Sequence, residues 1–274
     1  MARRSVLIAV LALSATACGN ATSAPPTTTN VAPPPPKPFR IVFPEGFTRV
    51  QMGVRVKVVA KIAVHERHKR VRLSQTAYLA ATKGAVVPCF GRTKRSNLEG
   101  FLFPATYDFL RHTTGRQLVA EQLAAFCRNW RSVDMSYARS KNLTPYDVLT
   151  IASMIEKEAA VPSERPIIAA VIYNRLRAGV PLGIDATLRY GLGIPPTESI
   201  HVSQLQNRTP YNTRLHYGLP PTPIANPGLA SIRAAAHPAK VDYLYYARKK
   251  DHRHHFFTAS ASAYNRFLAQ NGYG

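Results

Sequence analysis

Residues 143–160 read LTPYDVLTIASMIEKEAA and contain a complete signal for the start of an α-helix. Thr144 is a favoured N-cap residue, and Pro145 would take the first helical position, where its missing N–H costs nothing. Asp147 stands three residues after the cap, which completes a capping box. The segment therefore predicts a helix that begins at Pro145 and ends among acidic residues.

This predicted helix is unusual because two acids stand at the end of an apolar sequence. At about 100° per residue, an apolar arc covers more than half of the helix circumference. That arc contains Val148, Ile151, Ala152, Met154, Ile155 and Ala159. The remaining polar face is predicted to carry Thr150, Ser153 and Lys157. Glu156 falls at the edge of the apolar arc, and Glu158 falls inside it.

An acid inside an apolar arc points to general-acid chemistry. Burial disfavours the ionised carboxylate and raises its pKa. A carboxylic acid that is still protonated near neutral pH can then donate a proton to a leaving group. The alternative is a helix-end glutamate that turns out to solvent or pairs with an arginine. The helical wheel alone leaves both interpretations of Glu158 open.

The remainder of the chain predicts helices and strands that are segregated along the sequence. An alternating, strand-like piece begins near Arg40, Ser74 caps a helix that stops at Gly84, and another helix covers about 115–130. The run IIAAVIYNRLRAG, closed by Gly179, predicts a second helix that pairs with the first. LASIRAAAHPAK predicts a short helix, and the alternating apolar runs in VDYLYYARKKDHRHHFFTAS predict a C-terminal β-hairpin. These elements predict an α+β fold with a helical-pair core and a small N-terminal α/β subdomain.

The first eighteen residues, MARRSVLIAVLALSATAC, indicate export. Two arginines precede an apolar run from Val6 to about Ala12, which is too short for a membrane span and typical of a signal peptide over residues 1–17. A cysteine after small residues resembles a bacterial lipobox, so we expect lipidation of Cys18. The alternative is an ordinary cleaved signal with Cys18 left unmodified. Residues 18–38 are rich in proline and threonine and predict an extended tether.

The composition is strongly basic, with 36 lysine and arginine residues against 14 acids and a formal net charge of +22. Such an excess suggests nucleic acid, an anionic lipid surface or an anionic polymer as a partner. An exported lipoprotein rarely meets nucleic acid. We therefore expect a lipid-anchored protein on the extracytoplasmic side of the cell membrane, with the acidic wall and phospholipid head groups as counter-charges. An arginine-rich composition without any partner is the alternative.

Two cysteines remain after the lipobox, Cys89 and Cys127, an even number in an oxidising compartment. We expect them to form a disulfide, which would stabilise the protein by about 4 kcal/mol on the chain-entropy argument. Two unrelated buried thiols are the alternative. Neither cysteine has a metal-type spacing. His252, His254 and His255 lie in the predicted hairpin without a carboxylate cluster, which favours a basic surface over a metal site.

Several segments, taken in order, resemble the YceG-like family of endolytic murein transglycosylases. The matching stretches are LEGFLFPATY, IASMIEKEAAVPSERPIIAAVIYNRLRAGVPLGIDATLRYG, TPYNTRLHYGLPPTPIANPG, AAAHPAKVDYLYY and HHFFT, between Asn97 and about Thr258. The resemblance implies a membrane-tethered enzyme that cuts nascent peptidoglycan strands between N-acetylmuramic acid and N-acetylglucosamine. It also implies that the second glutamate of the E-K-E motif, Glu158, is the catalytic acid.

The chemistry implied by this resemblance is compatible with a single acid. Glycoside hydrolases normally use two carboxylates, one of which activates water or attacks the sugar. A lytic transglycosylase uses the muramic acid 6-hydroxyl as the nucleophile and forms a 1,6-anhydro ring, so one glutamate can act first as acid and then as base. No metal or organic cofactor is expected. The partners implied are peptidoglycan strands and wall synthases, the penicillin-binding proteins.

The matching motifs supply further candidates for the glycan cleft. These candidates are Glu99, Asn174, Asp185, Tyr211, Asn212, Thr213 and His254. Capping or turn hydrogen bonds are an equally good explanation of Asn174 and Thr213, and Asp185 could serve only to shape a turn. Among the hairpin histidines, only His254 aligns with the family pattern. For Glu156 we expect a bracing contact at the helix end, against Arg165 for example.

The sequence departs from the family pattern at its N-terminal end. Members typically carry a transmembrane helix, which a lipobox replaces here, and a larger LysM-like region, for which only residues 39–94 are available. We therefore divide the folded part into a reduced N-terminal subdomain, 39–94, and a catalytic domain, 95–274. A non-catalytic wall-binding scaffold and a cytosolic lyase are competing interpretations. The intact E-K-E motif argues against the first, and the export signal argues against the second.

Overall fold

A computed structural model describes residues 36–68, 70–84, 86–92 and 97–272. Within them the α-helices are α1 (Arg49–Arg67), α2 (Gln75–Ala81), α3 (Gly115–Trp130), α4 (Ser136–Ser140), α5 (Pro145–Glu158), α6 (Arg165–Ala178), α7 (Asp185–Leu192), α8 (Val202–Leu205), α9 (Leu229–Ala236) and α10 (Ala261–Asn271). The strands are β1 (Phe39–Val42), β2 (Val86–Val87), β3 (Gly91–Arg92), β4 (Thr106–Phe109), β5 (Tyr245–Arg248) and β6 (His255–Thr258). A short 3-10 helix, Pro162–Glu164, joins α5 to α6.

The strands form small antiparallel pairs, and the helices form the bulk of the fold. β1 pairs with β4, β2 with β3, and β5 with β6. This arrangement confirms the predicted α+β class. The predicted C-terminal hairpin is confirmed by the pairing of Tyr245 with Thr258 and of Arg248 with His255.

Helix α5 begins as its capping sequence predicts. The Thr144 hydroxyl accepts a hydrogen bond from the backbone N–H of Asp147 at 3.2 Å, and the Asp147 carboxylate accepts one from the backbone N–H of Thr144 at 2.8 Å. Pro145 occupies the first turn. The predicted end of α6 is also confirmed, because Gly179 adopts a left-handed conformation with φ of 63°.

The prediction that Thr150 and Ser153 lie on an exposed polar face of α5 is wrong, because both residues are buried. Helices α6 and α9 and the segment around Ile224 cover α5. The Thr150 hydroxyl donates to the Tyr146 carbonyl at 2.9 Å, and the Ser153 hydroxyl accepts from the backbone N–H of Ile224 at 3.0 Å. Small hydroxyl side chains can satisfy themselves on nearby backbone groups in this way, so they tolerate burial that the wheel assigns to solvent.

The N-terminal segment packs into the same body as the rest of the described chain. Residues Lys37–Gly274 form one compact unit. Phe39 pairs with Phe109 and Val42 with Thr106, so β1 crosses the sequence boundary proposed at residue 94. Helices α1 and α2 pack on each other and α2 packs on α3. The division into a subdomain 39–94 and a domain 95–274 stays a prediction.

Cys89 and Cys127 form a disulfide in this structure, with their Cα atoms 5.5 Å apart. The bridge joins the β2–β3 turn to α3. The neighbouring Phe90 ring lies 4.8 Å from Trp130 and 5.0 Å from Phe101, measured between centroids. The disulfide therefore fixes the turn onto an aromatic part of the core.

The signal peptide, Cys18 and nearly all of the tether lie outside the described residues. Within the described ranges, no helix has both the length and the apolar sequence that crossing a bilayer requires.

Candidate active site

A cavity of about 1340 Å³ lies between the C-terminal end of α5, the start of α1, helix α7, the β5–β6 hairpin and α10. Its walls include residues as far apart in sequence as Thr48 and Leu268. Both predicted acids Glu99 and Glu158 line it. This cavity exceeds the roughly 300–1,000 Å³ typical of small-molecule sites, and it brings together most of the titratable groups discussed below.

Glu158 is the last residue of α5, and its side chain lines the cavity. Burial raises its pKa to about 7, and the negative charge of Asp185 acts in the same direction. The positive charge of Arg248 and a hydrogen bond with Tyr246 oppose the shift. A carboxyl group with a pKa near 7 is protonated in a useful fraction at neutral pH, which a general acid requires.

Tyr246 on β5 connects Glu158 to the hairpin. Its hydroxyl is hydrogen-bonded to Glu158, and its ring lies edge-on to His255, with 5.4 Å between centroids. His255 is buried, and its Nδ1 lies 2.7 Å from Glu164 Oε2. Its backbone N–H donates to Glu164 Oε1 at 2.9 Å. The short helix after α5 thus fixes β6, and β6 supports the tyrosine that contacts Glu158.

Glu99 is a second buried acid at the cavity, and its oxygens are already occupied. Oε1 accepts from the backbone N–H of Arg49 and from Asn226 Nδ2, both at 2.9 Å. Oε2 accepts from the Tyr190 hydroxyl at 3.1 Å. Burial raises the pKa of Glu99 to about 7, although these hydrogen bonds oppose the shift. Glu99 therefore joins α1, α7 and the 226 segment rather than presenting a free carboxylate.

Asn226 holds the same region together from the other side. Its Oδ1 accepts from the backbone N–H groups of Gly100 and Leu102, each at 2.9 Å. Its Nδ2 donates to the Phe47 carbonyl and to Glu99, again at 2.9 Å. All of its side-chain hydrogen-bonding capacity is used for positioning. The sequence reasoning missed this residue, although it stands in the matching stretch TPIANPG.

Glu156 and Lys157 point away from Glu158 to different partners. Glu156 Oε2 accepts from the backbone N–H of Gly228 at 3.0 Å, at the N-terminal cap of α9. Lys157 Nζ donates to the Gly46 carbonyl at 3.4 Å. The expected contact of Glu156 with Arg165 is corrected, because Arg165 Nε donates to Ser231 at 3.2 Å instead. Glu156 does brace a helix end, but it is the start of α9.

Two further predicted residues line the cavity. Asp185 opens α7 and accepts from Arg214 Nε at 3.1 Å. Tyr211 also lines the cavity, and its hydroxyl lies 2.8 Å from the Thr222 hydroxyl. Their places fit the prediction that they border a ligand-binding cleft.

Four predicted residues lie elsewhere, which corrects their assignment to the cleft. Asn174 Nδ2 donates to the carbonyls of Val241 and Tyr243, at 2.9 and 3.0 Å. Asn212 and Thr213 are buried, and both hold turns: Asn212 donates to Leu205 and Asn207, and Thr213 accepts from the Ile184 N–H. His254 is exposed in the hairpin turn, where Nδ1 lies 2.7 Å from Asp251 Oδ2. Asn174, Asn212 and Thr213 thus hydrogen-bond to backbone groups of neighbouring segments, and none of the four residues lines the cavity.

The cavity wall is rich in cations. Among described residues it contains Arg49, Lys157, Arg175, Arg189, Arg214 and Arg248. The acids in the same wall are Glu99, Glu158 and Asp185. Arg175 is fixed by the carbonyls of Leu244, Pro181 and Leu182, at 2.6, 3.0 and 2.8 Å. Such a wall attracts an anionic ligand. Its positive charges also favour the ionised form of the acids within it, as Arg248 does for Glu158.

Within the described ranges, no group of three or more histidine, cysteine, aspartate or glutamate side chains could hold a metal ion. The fold and the cavity together define a class: an α+β protein whose cleft contains, at a helix end, a glutamic acid with a raised pKa.

The sequence profile of the YceG-like family matches residues 23–270, and the chain belongs to this family. It is 36% identical over 162 residues to an endolytic murein transglycosylase of Bacillus subtilis (strain 168), covering 59% of this chain and 45% of that protein. It is 33% identical over 220 residues to one of Streptococcus pneumoniae (strain ATCC BAA-255 / R6), covering 75% of this chain and 40% of that protein. The chain therefore spans less than half the length of these curated relatives.

A crystal structure of a yceG-like protein, lmo1499 from Listeria monocytogenes, has a similar fold. The two structures superpose with a TM-score of 0.69 at 28% sequence identity, over 85% of this chain and 76% of the other.

Proposed function

We propose that this protein is an endolytic lytic transglycosylase that cleaves peptidoglycan between N-acetylmuramic acid and N-acetylglucosamine. The observation that carries the proposal is Glu158, a cavity-lining acid whose pKa burial raises to about 7. The names of the B. subtilis and S. pneumoniae relatives support the same activity.

The proposed reaction uses one acid twice. The Glu158 carboxylic acid protonates the glycosidic oxygen as the bond from this oxygen to the muramic acid C1 breaks. The C6 hydroxyl of the same sugar attacks C1 and closes a 1,6-anhydro ring, while the Glu158 carboxylate accepts the hydroxyl proton. The acid is regenerated, and no water is consumed. No step of this reaction requires a metal or an organic cofactor.

The surroundings of Glu158 favour this route over hydrolysis. A hydrolase needs a second carboxylate that is free to activate water or to attack the sugar. Both oxygens of Glu99 accept hydrogen bonds from protein donors, and Asp185 is paired with Arg214. Glu158 is the acid at this cavity with a raised pKa and without such a saturated set of donors.

We also propose that the protein acts at the extracytoplasmic face of the cell membrane. The N-terminal sequence supports a signal peptide over residues 1–17 and a lipid on Cys18, with residues 18–38 as a tether. Wall synthases of the penicillin-binding class are the proposed protein partners, because a strand-cutting enzyme and a strand-making enzyme share one polymer.

The test is a product analysis. Purified protein is incubated with uncrosslinked glycan strands, and the muropeptides are identified by mass spectrometry. We expect new 1,6-anhydromuramyl ends, produced by cuts at internal positions of the strands. Reducing ends without anhydro products would indicate a hydrolase. Strand binding without any cleavage would favour a non-catalytic wall-binding scaffold.

A further inference from the structure

Helix α1 carries apolar side chains on two opposite faces, and the fold accounts for only one of them. Met52, Val56 and Ala63 are buried in the core. Gly53 lies so close to α2 that an added Cβ would be 2.9 Å from Leu79. A helix that is apolar on both sides is normally covered on both sides.

The opposite face of α1 is exposed. Its apolar side chains are between 41% and 53% exposed, and they are Val50, Val54, Val58, Ile62 and Val64. The first four repeat every fourth residue, so they follow one ridge of the helix. Isolated exposed apolar residues are ordinary, but a continuous ridge over one helix marks an interaction surface.

Lysines lie between these apolar side chains. At 100° per residue, Lys57 and Lys61 fall within the same arc as Val50 and Val54, and both lysines are exposed. In the sequence of α1 the single acid is Glu66, near its end, beside His65 at 3.6 Å. We call the five exposed apolar residues together with Lys57 and Lys61 the valine–lysine face.

We infer that the valine–lysine face docks on the surface of an anionic phospholipid bilayer. Apolar side chains enter the boundary between head groups and acyl chains, while lysine ammonium groups stay level with the phosphates. The two kinds of residue are interleaved as this geometry needs. A hydrated anionic polymer such as the wall would match the lysines but would leave the branched apolar side chains in water.

Docking of this face would also orient the cavity. Arg49 and Val50, at the start of α1, line the cavity, and a helix of this length extends about 28 Å away from it. With the valine–lysine face on a bilayer, the cavity would be held beside the membrane surface.

The experiment places an environment-sensitive fluorophore on a cysteine at position 65, which is exposed on the same side of α1. The full chain carrying His65→Cys is mixed with vesicles of phosphatidylcholine, with or without 30% phosphatidylglycerol (about one lipid in three). We expect a blue shift, and quenching by lipids with brominated acyl chains, in the anionic vesicles. A second probe, at Val202→Cys, should stay in water.

Three pairs of substitutions separate docking from general charge attraction. Lys57→Ser with Lys61→Ser should weaken binding to the anionic vesicles about 25-fold, since each basic residue near such a surface adds about fivefold. Lys249→Ser with Lys250→Ser removes the same charge from the hairpin turn and should change it little. Val54→Ser with Val58→Ser should abolish quenching by brominated lipids.

The outcomes are decisive in both directions. A position-65 probe that stays in water on anionic vesicles overturns the inference, and so does equal weakening by both lysine pairs. A blue shift that needs no lipid and grows with protein concentration would mean that a second copy covers the face, which also overturns it. None of these measurements uses the enzymatic activity, so they stand apart from the proposed function.

Discussion

Three consecutive side chains at the end of α5 contact three different parts of the protein. Glu156 caps α9 through Gly228, Lys157 reaches the Gly46 carbonyl, and Glu158 lines the cavity. Neighbouring residues on a helix point about 100° apart, so the end of one helix can brace two elements and still present an acid. The roles of the two glutamates are therefore separable by mutation.

Glu158→Gln should lower the rate of strand cleavage by at least about 10²-fold, because glutamine keeps the size of the side chain but cannot deliver a proton. The folded structure should persist. The measurement is release of 1,6-anhydromuramyl products, with circular dichroism as the test of folding.

Glu156→Gln is the matched control, since a glutamine oxygen can still accept the Gly228 N–H. It should keep most activity and lose little stability. Near wild-type cleavage by folded Glu158→Gln would disprove the assignment of the acid. A large loss in Glu156→Gln alone would transfer the assignment to Glu156.

Tyr246→Phe should move the pH profile of cleavage to higher pH. Activity that depends on protonated Glu158 falls as pH rises through a pKa of about 7. The Tyr246 hydrogen bond stabilises the ionised form, so its removal raises this pKa further and shifts the falling limb upward. Values of kcat/KM between pH 5 and 9 (about two units on each side) measure the shift.

Tyr245→Phe serves as the control, because Tyr245 instead stacks on Tyr264 at 5.1 Å. Its profile should match the wild type. A Tyr246→Phe profile with an unchanged or lowered limb would contradict the proposed hydrogen-bond role.

The sequence was informative about Glu158 and uninformative about its neighbours for a physical reason. Placement of an acid on one helix depends on local periodicity, which a helical wheel describes. Tyr246, His255 and Asn226 act through contacts between distant elements, and their alternating or loop sequences do not indicate which side chain faces inward. Asn174, Asn212 and Thr213 were wrongly assigned to the cleft because the same polar side chains can either stabilise turns or bind a ligand.

At the scale of elements, helix ends with local capping signals were predictable, and pairings over long distances were not. The start of α5 and the end of α6 follow from Thr144, Pro145 and Gly179. Helices α1 and α2 lie between β1 and β4 in the sequence, so no local sequence pattern predicts that these two strands pair. Helices α7 and α10 were also missed, because they contain only 8 and 11 residues, and a periodic pattern over so few turns gives a weak signal.

Gly100→Ala should destabilise the protein by about 2 kcal/mol or more. Gly100 has φ of 90°, and an added Cβ would lie 2.6 Å from Pro223 Cγ. A left-handed conformation costs an ordinary residue about 1–2 kcal/mol before the clash is counted. Urea denaturation measures the loss.

The control is Gly84→Ala, where no atom lies within 4 Å of the added Cβ. It should change the unfolding free energy by less than about 0.5 kcal/mol. Equal stability of the two variants would show that the turn after Glu99 is not constrained as described.

The disulfide joins two elements, and its removal should be costly. Cys89 and Cys127 are 38 residues apart, so a double substitution by alanine should lower the unfolding free energy by about 4 kcal/mol. Intact-mass analysis after alkylation under denaturing, non-reducing conditions tests the bridge in the exported protein. Two alkylated thiols in fresh material would show that it does not form.

At the scale of the whole molecule, the N-terminal sequence predicts a lipid anchor. Cys18→Ser should abolish incorporation of a fatty-acid probe in growing cells, because the acceptor thiol is missing. The protein should then be soluble or remain bound through an unprocessed signal. Equal labelling of the wild type and Cys18→Ser would show that the lipobox interpretation is wrong.

The residues of the cavity wall are far apart in the sequence, which determines when the wall can form during synthesis. Asn226 bonds to Phe47 across 179 positions, and the wall extends from Thr48 to Leu268. A chain that is still being synthesised can contain Glu158 while the hairpin that supplies Tyr246 has not yet been made. The acid thus gains its surroundings only after β5 and β6 have been synthesised, and a chain arrested before β5 carries the E-K-E motif without the hairpin wall of the cavity.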